Sequence, residues 1–217
     1  MFDVALTERL TRAGVVAVLT VDDADDAVPI ARALLAGGVT SIELTFRTAA
    51  APEAIKRIRG EVPEVLVGAG TVLNARDVGL ALGAGAFFGV APGCNPNTLK
   101  AAKERGLAFA PGVATPSDIE RALENGCRVL KFFPAQTSGG LAHLTTMAAP
   151  YAHLGVKFIP LGGITEKLLP DYLRSPLVAC VGGSWLASSA LIRAKDWPAV
   201  QKNAAEAMRT VSECRDR

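Results

Sequence analysis

The chain has 217 residues, is 50% hydrophobic, and carries 23 Lys and Arg against 21 Asp and Glu. That length and apolar content suit one domain with a large core. The near balance of charge, with no basic run interleaved with aromatics, argues against nucleic acid as a partner and leaves acidic small molecules open.

The start, Met1–Arg9, lacks a basic segment followed by a long apolar run, and no later stretch is long and apolar enough for a membrane helix. Cys94, Cys127, Cys180 and Cys214 are scattered and form no Cys-x-x-Cys pair. Reduced structural thiols and a cytoplasmic location, away from membranes, are the expectation.

Short Val-, Ile-, Ala- and Gly-rich runs alternate with longer amphipathic stretches along the chain, the pattern of βα units around a parallel sheet. The first expected strand is Val15–Thr20. The acidic run Asp22–Asp26 then opens an apolar-periodic helix that closes at Gly37-Gly38, with acids at its start and glycine at its end. Strands follow at Ser41–Phe46, Val65–Thr71, Ala86–Ala91 and Leu107–Pro111, with helix starts at Asn95-Pro96 and Thr115-Pro116. Arg128–Phe133, Val156–Leu161 and Val178–Gly182 complete the strands, and Thr165-Glu166 marks a further helix start.

About eight such units without a linker or low-complexity tract predict an α/β fold, a single-domain (β/α)8 TIM barrel over residues 1–217 with an extra helix at each end. A doubly wound open sheet is the competing architecture. Its one dinucleotide-type loop, Gly68-Ala69-Gly70-Thr71-Val72-Leu73, has Leu73 where the third glycine belongs.

Along the second strand Ser41, Glu43 and Thr45 share a face with Arg47 beyond them, while Ile42, Leu44 and Phe46 share the other. In a barrel the apolar face meets the helices, which aims Glu43 and Arg47 inward toward the C-terminal mouth, where the active sites of this architecture lie. The planar fork of Arg47 suits a substrate carboxylate, held by two parallel hydrogen bonds; a solvated arginine at a strand end is the plainer reading.

Lys131 is the one charge within the apolar run Val129–Ala135, with Arg128 at its entrance. A buried ammonium is costly unless paired or neutralised, and desolvation favours the free amine, a nucleophile that forms Schiff bases with carbonyl compounds. The plainer reading is a lysine that snorkels to water. Val129, Lys131 and Phe133 share a face. Glu43 and Lys131 are therefore expected to converge, as a catalytic pair or as a structural ion pair.

Pro160-Leu161-Gly162-Gly163-Ile164 and Val181-Gly182-Gly183-Ser184-Trp185 each end a strand in paired glycines. Such loops let the backbone approach a ligand and present N–H groups to an anion, and they follow the last two expected strands, where many barrels of this type bind phosphate. The alternative is a pair of ordinary turns. His143 and His153 read as surface residues outside any His-x-His or His-Glu cluster, and no metal site is expected.

The segments Ile42-Glu43-Leu44-Thr45-Phe46-Arg47-Thr48, Val67–Leu73, Ala91-Pro92-Gly93, Pro111–Pro116, Lys131-Phe132-Phe133-Pro134-Ala135, Gly162-Gly163-Ile164 and Gly182–Trp185, in this order and spacing, resemble one family over nearly the whole chain. It is that of the 2-keto-3-deoxy-6-phosphogluconate (KDPG) / 4-hydroxy-2-oxoglutarate (KHG) aldolases. The resemblance implies a metal-independent Schiff-base aldolase on a (β/α)8 barrel, a homotrimer that requires no organic cofactor and takes a phosphorylated keto acid as its small-molecule partner. It implies Lys131 as the imine-forming lysine and Glu43 as the proton-transfer residue. Arg47 and Thr71 would hold the carboxylate of pyruvate, Pro92 and Phe133 would wall the imine, and Gly162, Gly163 and Ser184 would receive phosphate.

Two places depart from the family pattern. Leu161 stands where threonine is common, near the substrate hydroxyls, and Gln136-Thr137-Ser138 replaces a common acidic residue after Phe-Phe-Pro-Ala. The implied reaction is cleavage of KDPG to pyruvate and glyceraldehyde 3-phosphate, with hydroxy-oxoglutarate cleavage to pyruvate and glyoxylate as a second activity. The competing readings are a 2-dehydro-3-deoxy-6-phosphogalactonate aldolase, a non-catalytic barrel that binds phosphorylated sugars, and a lysine-linked pyridoxal phosphate protein, which an absorbance spectrum would reveal.

Overall fold

The computed structural model describes residues 1–215. The chain runs α1 (Val4–Ala13), β1 (Val15–Leu19), α2 (Ala27–Ala36), β2 (Ser41–Thr45), α3 (Ala51–Glu61), β3 (Leu66–Gly70), α4 (Ala75–Gly83), β4 (Phe88–Val90), α5 (Pro96–Arg105) and β5 (Ala108–Ala110). It continues through β6 (Gly112–Val113), α6 (Pro116–Glu124), β7 (Val129–Phe132), α7 (Gly140–Ala148), β8 (Lys157–Pro160), α8 (Leu169–Leu173), β9 (Val181–Gly183), α9 (Ser189–Ala194) and α10 (Trp197–Arg215). Among the described residues no helix is long and apolar enough to cross a membrane.

Local chemistry fixes most of the helix starts. Thr115 accepts from the Asp118 N–H while the Asp118 carboxylate accepts from the Thr115 N–H, a reciprocal cap on α6 with Pro116 in the first turn. Asn95 caps α5 by accepting from the Asn97 N–H. Asp23 caps a single 3-10 turn, Ala24–Asp26, that feeds α2. The expected start at Thr165 is weaker: its side chain makes no cap bond, and a 3-10 turn leads into an α8 of only 5 residues.

The strands pair parallel throughout, in one sheet of order β5-β4-β3-β2-β1-β9 and another of order β6-β7-β8. One uninterrupted eight-stranded sheet was the expectation, and the difference has a local cause. The expected strand Leu107–Pro111 stops at Ala110, and the chain resumes at Gly112–Val113 against β7. Pro111 has no N–H to give a ladder, although its carbonyl accepts from the Lys131 N–H at 2.8 Å. One expected strand thus serves both sheets. At the far seam Phe158 of β8 bridges Val178, and Ala179 N–H donates to Phe158 O at 2.9 Å. The last strand accordingly begins at Val181, three residues later than its apolar run suggests.

Apolar side chains fall into two clusters. The larger joins the outer face of the sheet to the helices and includes Leu19, Ile42 and Leu44 with Ile30, Leu34 and Ile55. The smaller lines the inner face and contains Val16, Leu66, Phe88, Val90, Val129 and Ile159 around Leu10 of α1, with Phe2 and Leu6 against it. Helix α1 therefore plugs the end of the fold at which the strands begin. The ends at which they finish are left for polar side chains.

Candidate active site

Glu43 and Lys131 reach each other from β2 and β7 across the inner face. Lys131 Nζ donates to Glu43 Oε1 at 3.0 Å, with the two side chains 6% and 4% exposed. The alternation that sends Ile42 and Leu44 into the outer cluster is what turns Glu43 inward; Val129 lies one layer below Lys131, and Ile159 of the same inner cluster is level with it. Below the pair, the buried Ser41 on the same face as Glu43 is joined by the apolar side chains of the inner cluster. A carboxylate and an ammonium so far from water are tolerable only because each meets the other.

Space for the carboxylate comes from β3. Gly70 lies so close that a Cβ there would stand 2.1 Å from Glu43 Oε1. The next residue, Thr71, has φ of 58°, a left-handed conformation that costs a β-branched residue energy and that collects at ligand-binding positions. On the other flank the Phe133 ring lies 5.4 Å from Lys131 Nζ, within reach of a cation–π contact. Phe133 also crowds Gly162, where an added Cβ would meet the ring at 3.2 Å.

The remaining expected residues sit in the segments that follow the strands. Arg47 lies just past β2 and is exposed, and Pro92 lies past β4 and is exposed. Leu161 is half-buried and lies over Gly182, whose added Cβ would meet its Cδ1 at 2.4 Å. Gly162 and Gly163 have φ of 105° and 77°, the left-handed turn that their sequence predicts. Ser184 follows β9 and is exposed. Among the described residues neither the Arg47 guanidinium nor the Ser184 hydroxyl has a hydrogen-bond partner. Both are free to hold a ligand.

Lys157 occupies the opposite end. It is level with Val129, exposed, and donates to Pro176 O at 2.6 Å. His153 is exposed as expected, but His143 is not a plain surface residue: its Nε2 lies 3.2 Å from Ala114 O and its ring stacks on Phe132 with centroids 6.0 Å apart. Its position in the first turn of α7, beside the end of β6, produces that packing. Among the described residues no group of three His, Cys, Asp or Glu could hold a metal ion.

Sequence reasoning did not identify a pair of hydroxyls at the same end. Thr20 Oγ1 and Thr45 Oγ1 lie 2.7 Å apart, and Thr48 Oγ1 donates to Val21 O at 2.6 Å. Extending the β1–β2 register beyond Leu19 and Leu44 would have placed Thr20 beside Thr45. Below the ion pair, burial pushes the Cys180 thiol up to about 12, and the nearby Glu43 carboxylate adds a smaller upward push.

The family model described as KDPG and KHG aldolase matches residues 6–203. The 2-dehydro-3-deoxy-phosphogluconate aldolase of Treponema pallidum is 44% identical over 197 residues, 91% of this chain and 93% of that protein. A solved KDPG aldolase of Zymomonas mobilis with 3-phosphoglycerate is 42% identical, with a TM-score of 0.86 over 93% of this chain and 94% of that one. A KDPG aldolase of Legionella pneumophila, with pyruvate captured as a covalent carbinolamine intermediate, is 34% identical, with a TM-score of 0.87 over 92% of this chain and 96% of that one.

Proposed function

Because this chain belongs to the KDPG and KHG aldolase family, we propose that Lys131 is the nucleophile through which it cleaves 2-keto-3-deoxy-6-phosphogluconate to pyruvate and glyceraldehyde 3-phosphate. The protein is an aldehyde-lyase. The observation that carries the assignment to Lys131 is the 3.0 Å contact of its Nζ with Glu43, both nearly sealed from water at the end of the sheet where the free polar groups lie.

The Lys131 amine adds to the C2 carbonyl carbon, and the carbonyl oxygen leaves as water to give a protonated imine. Glu43, already hydrogen-bonded to Nζ, is placed to accept the ammonium proton and so free the amine. It returns that proton to the departing carbonyl oxygen, which leaves as water, and the carboxylate so regenerated takes the proton of the C4 hydroxyl. The O–H electron pair forms the aldehyde C=O, the C3–C4 bond breaks, and its electrons pass through the new C2=C3 double bond to the imine nitrogen. Glyceraldehyde 3-phosphate leaves. The enamine takes a proton at C3, and water hydrolyses the resulting imine to pyruvate and the free lysine.

Arg47 and Thr71 hold the carboxylate at C1, and Pro92 and Phe133 wall the imine. Gly162, Gly163 and Ser184 receive the phosphate through N–H groups and a hydroxyl. Leu161 faces the substrate hydroxyls with a side chain that cannot hydrogen-bond. Hydroxy-oxoglutarate, named in the family description, is the second substrate.

The same reading carries one domain over residues 1–217 and a closed eight-stranded barrel. Continuity of the chain through Pro111 and the Phe158–Val178 bridge support that closure at the two seams. It also carries a homotrimer, by resemblance to the family. The test is pyruvate release from KDPG by Lys131→Met, which keeps the stem of the side chain and removes the amine. Release at the wild-type rate would exclude Lys131 as the nucleophile.

A further inference from the structure

Strand β1 lies between β2, which carries Glu43, and β9, which leads into Ser184. Val16 belongs to the inner apolar cluster, so Val18 and Thr20 face the same way at successive levels. Val18 is level with Glu43, and Thr20 stands one layer above, beside Thr45. Thr45 is 3% exposed, whereas Thr20 is partly open.

The two hydroxyls lie 2.7 Å apart, and neither has another side-chain hydrogen-bond partner among the described residues. Two hydroxyls carry two protons, and one shared hydrogen bond uses one of them. Thr45, shut away from water, has no second side-chain hydrogen-bond acceptor among the described residues. The arrangement that satisfies the buried donor has Thr45 donate to Thr20, which leaves the Thr20 proton free for whatever occupies the mouth.

Under the aldolase reading, on which this step rests, every polar group of the substrate but one has a partner. Arg47 and Thr71 take the carboxylate, Lys131 the C2 carbonyl, Glu43 the C4 hydroxyl, and the glycine loops with Ser184 the phosphate. The C5 hydroxyl lies between the last two. We propose that Thr20, just past the end of the strand between those two sets of residues, donates a hydrogen bond to the C5 hydroxyl and selects aldehydes that carry a hydroxyl next to the carbonyl.

The test runs the reaction toward condensation of pyruvate with glyceraldehyde 3-phosphate or with 3-oxopropyl phosphate, which lacks only that hydroxyl. Thr20→Val keeps the branched shape and removes the donor. The ratio of kcat/KM for the two aldehydes should fall about fivefold, the scale of one neutral hydrogen bond, and Thr20→Ser should restore it. A ratio unchanged from wild type, with both aldehydes losing equally or neither losing, overturns the proposal and leaves the pair as a tie between β1 and β2. Borohydride trapping of pyruvate on the wild-type protein tests the aldolase reading separately, because it needs no aldehyde.

Discussion

Gly70→Ala tests the position of Glu43 without altering any group that reacts. The added Cβ would stand 2.1 Å from Glu43 Oε1 and 2.7 Å from its Cγ and Cδ, against roughly 3.5 Å for an ordinary non-bonded contact. The carboxylate must therefore retreat by about 1 Å or more, and Oε1 is the atom that accepts from Lys131 Nζ at 3.0 Å. Gly70 is absent from the positive-φ positions, so alanine meets no backbone strain there. Overpacking of this kind costs about 1–3 kcal/mol of stability. A displacement of about 1 Å at a reacting group costs on the order of 10²-fold in rate. Pyruvate release coupled to lactate dehydrogenase should show a kcat lower by about that factor, while urea melting shows a folded protein. A folded Gly70→Ala with wild-type kcat would refute the reasoning, since the Glu43 carboxylate would then be free to move without consequence.

Glu43→Gln keeps the shape and removes the base, so kcat should fall by about 10²–10⁴; turnover at the wild-type rate would reduce Glu43 to a counter-ion. Leu161→Thr should sharpen the preference for the gluconate over the galactonate epimer by a factor of several, since one neutral hydrogen bond is worth about 1 kcal/mol, as read from kcat/KM for both epimers. Burial pushes the Cys127 and Cys180 thiols up to about 12 from 9.0. The thiolate that alkylation needs is therefore scarce in the folded protein, and iodoacetamide at pH 8 should label neither cysteine until urea is added. Because the raised values favour the protonated thiols, their contribution to stability holds below about pH 9 and is lost as pH rises toward 12.

Much of the site was legible because strand alternation is a strict rule. A carboxylate on the face opposite Ile42 and Leu44, and an ammonium on the face of Val129, must both point inward wherever those apolar neighbours pack outward or downward. The roles proposed for Thr71, Pro92 and Phe133 were not legible in that way and rest on resemblance to the family. The break at Pro111 was missed because a lost N–H ends a ladder without ending the chain's direction, so β6 continues where the apolar run had been closed. The Thr20–Thr45 contact depends on register between strands 25 positions apart, which side-chain pattern alone does not fix. His143 was misjudged because its stacking on Phe132 depends on how α7 packs over β7, a tertiary contact with no periodic signal.

Borohydride reduction in the presence of pyruvate, followed by peptide mass mapping, bears most directly on the claim that a buried amine at the end of β7 carries the reaction. The expected result is a single pyruvyl addition on the peptide that contains Lys131. Addition at Lys157, whose exposed ammonium lies at the plugged end, or no addition at all, would contradict it.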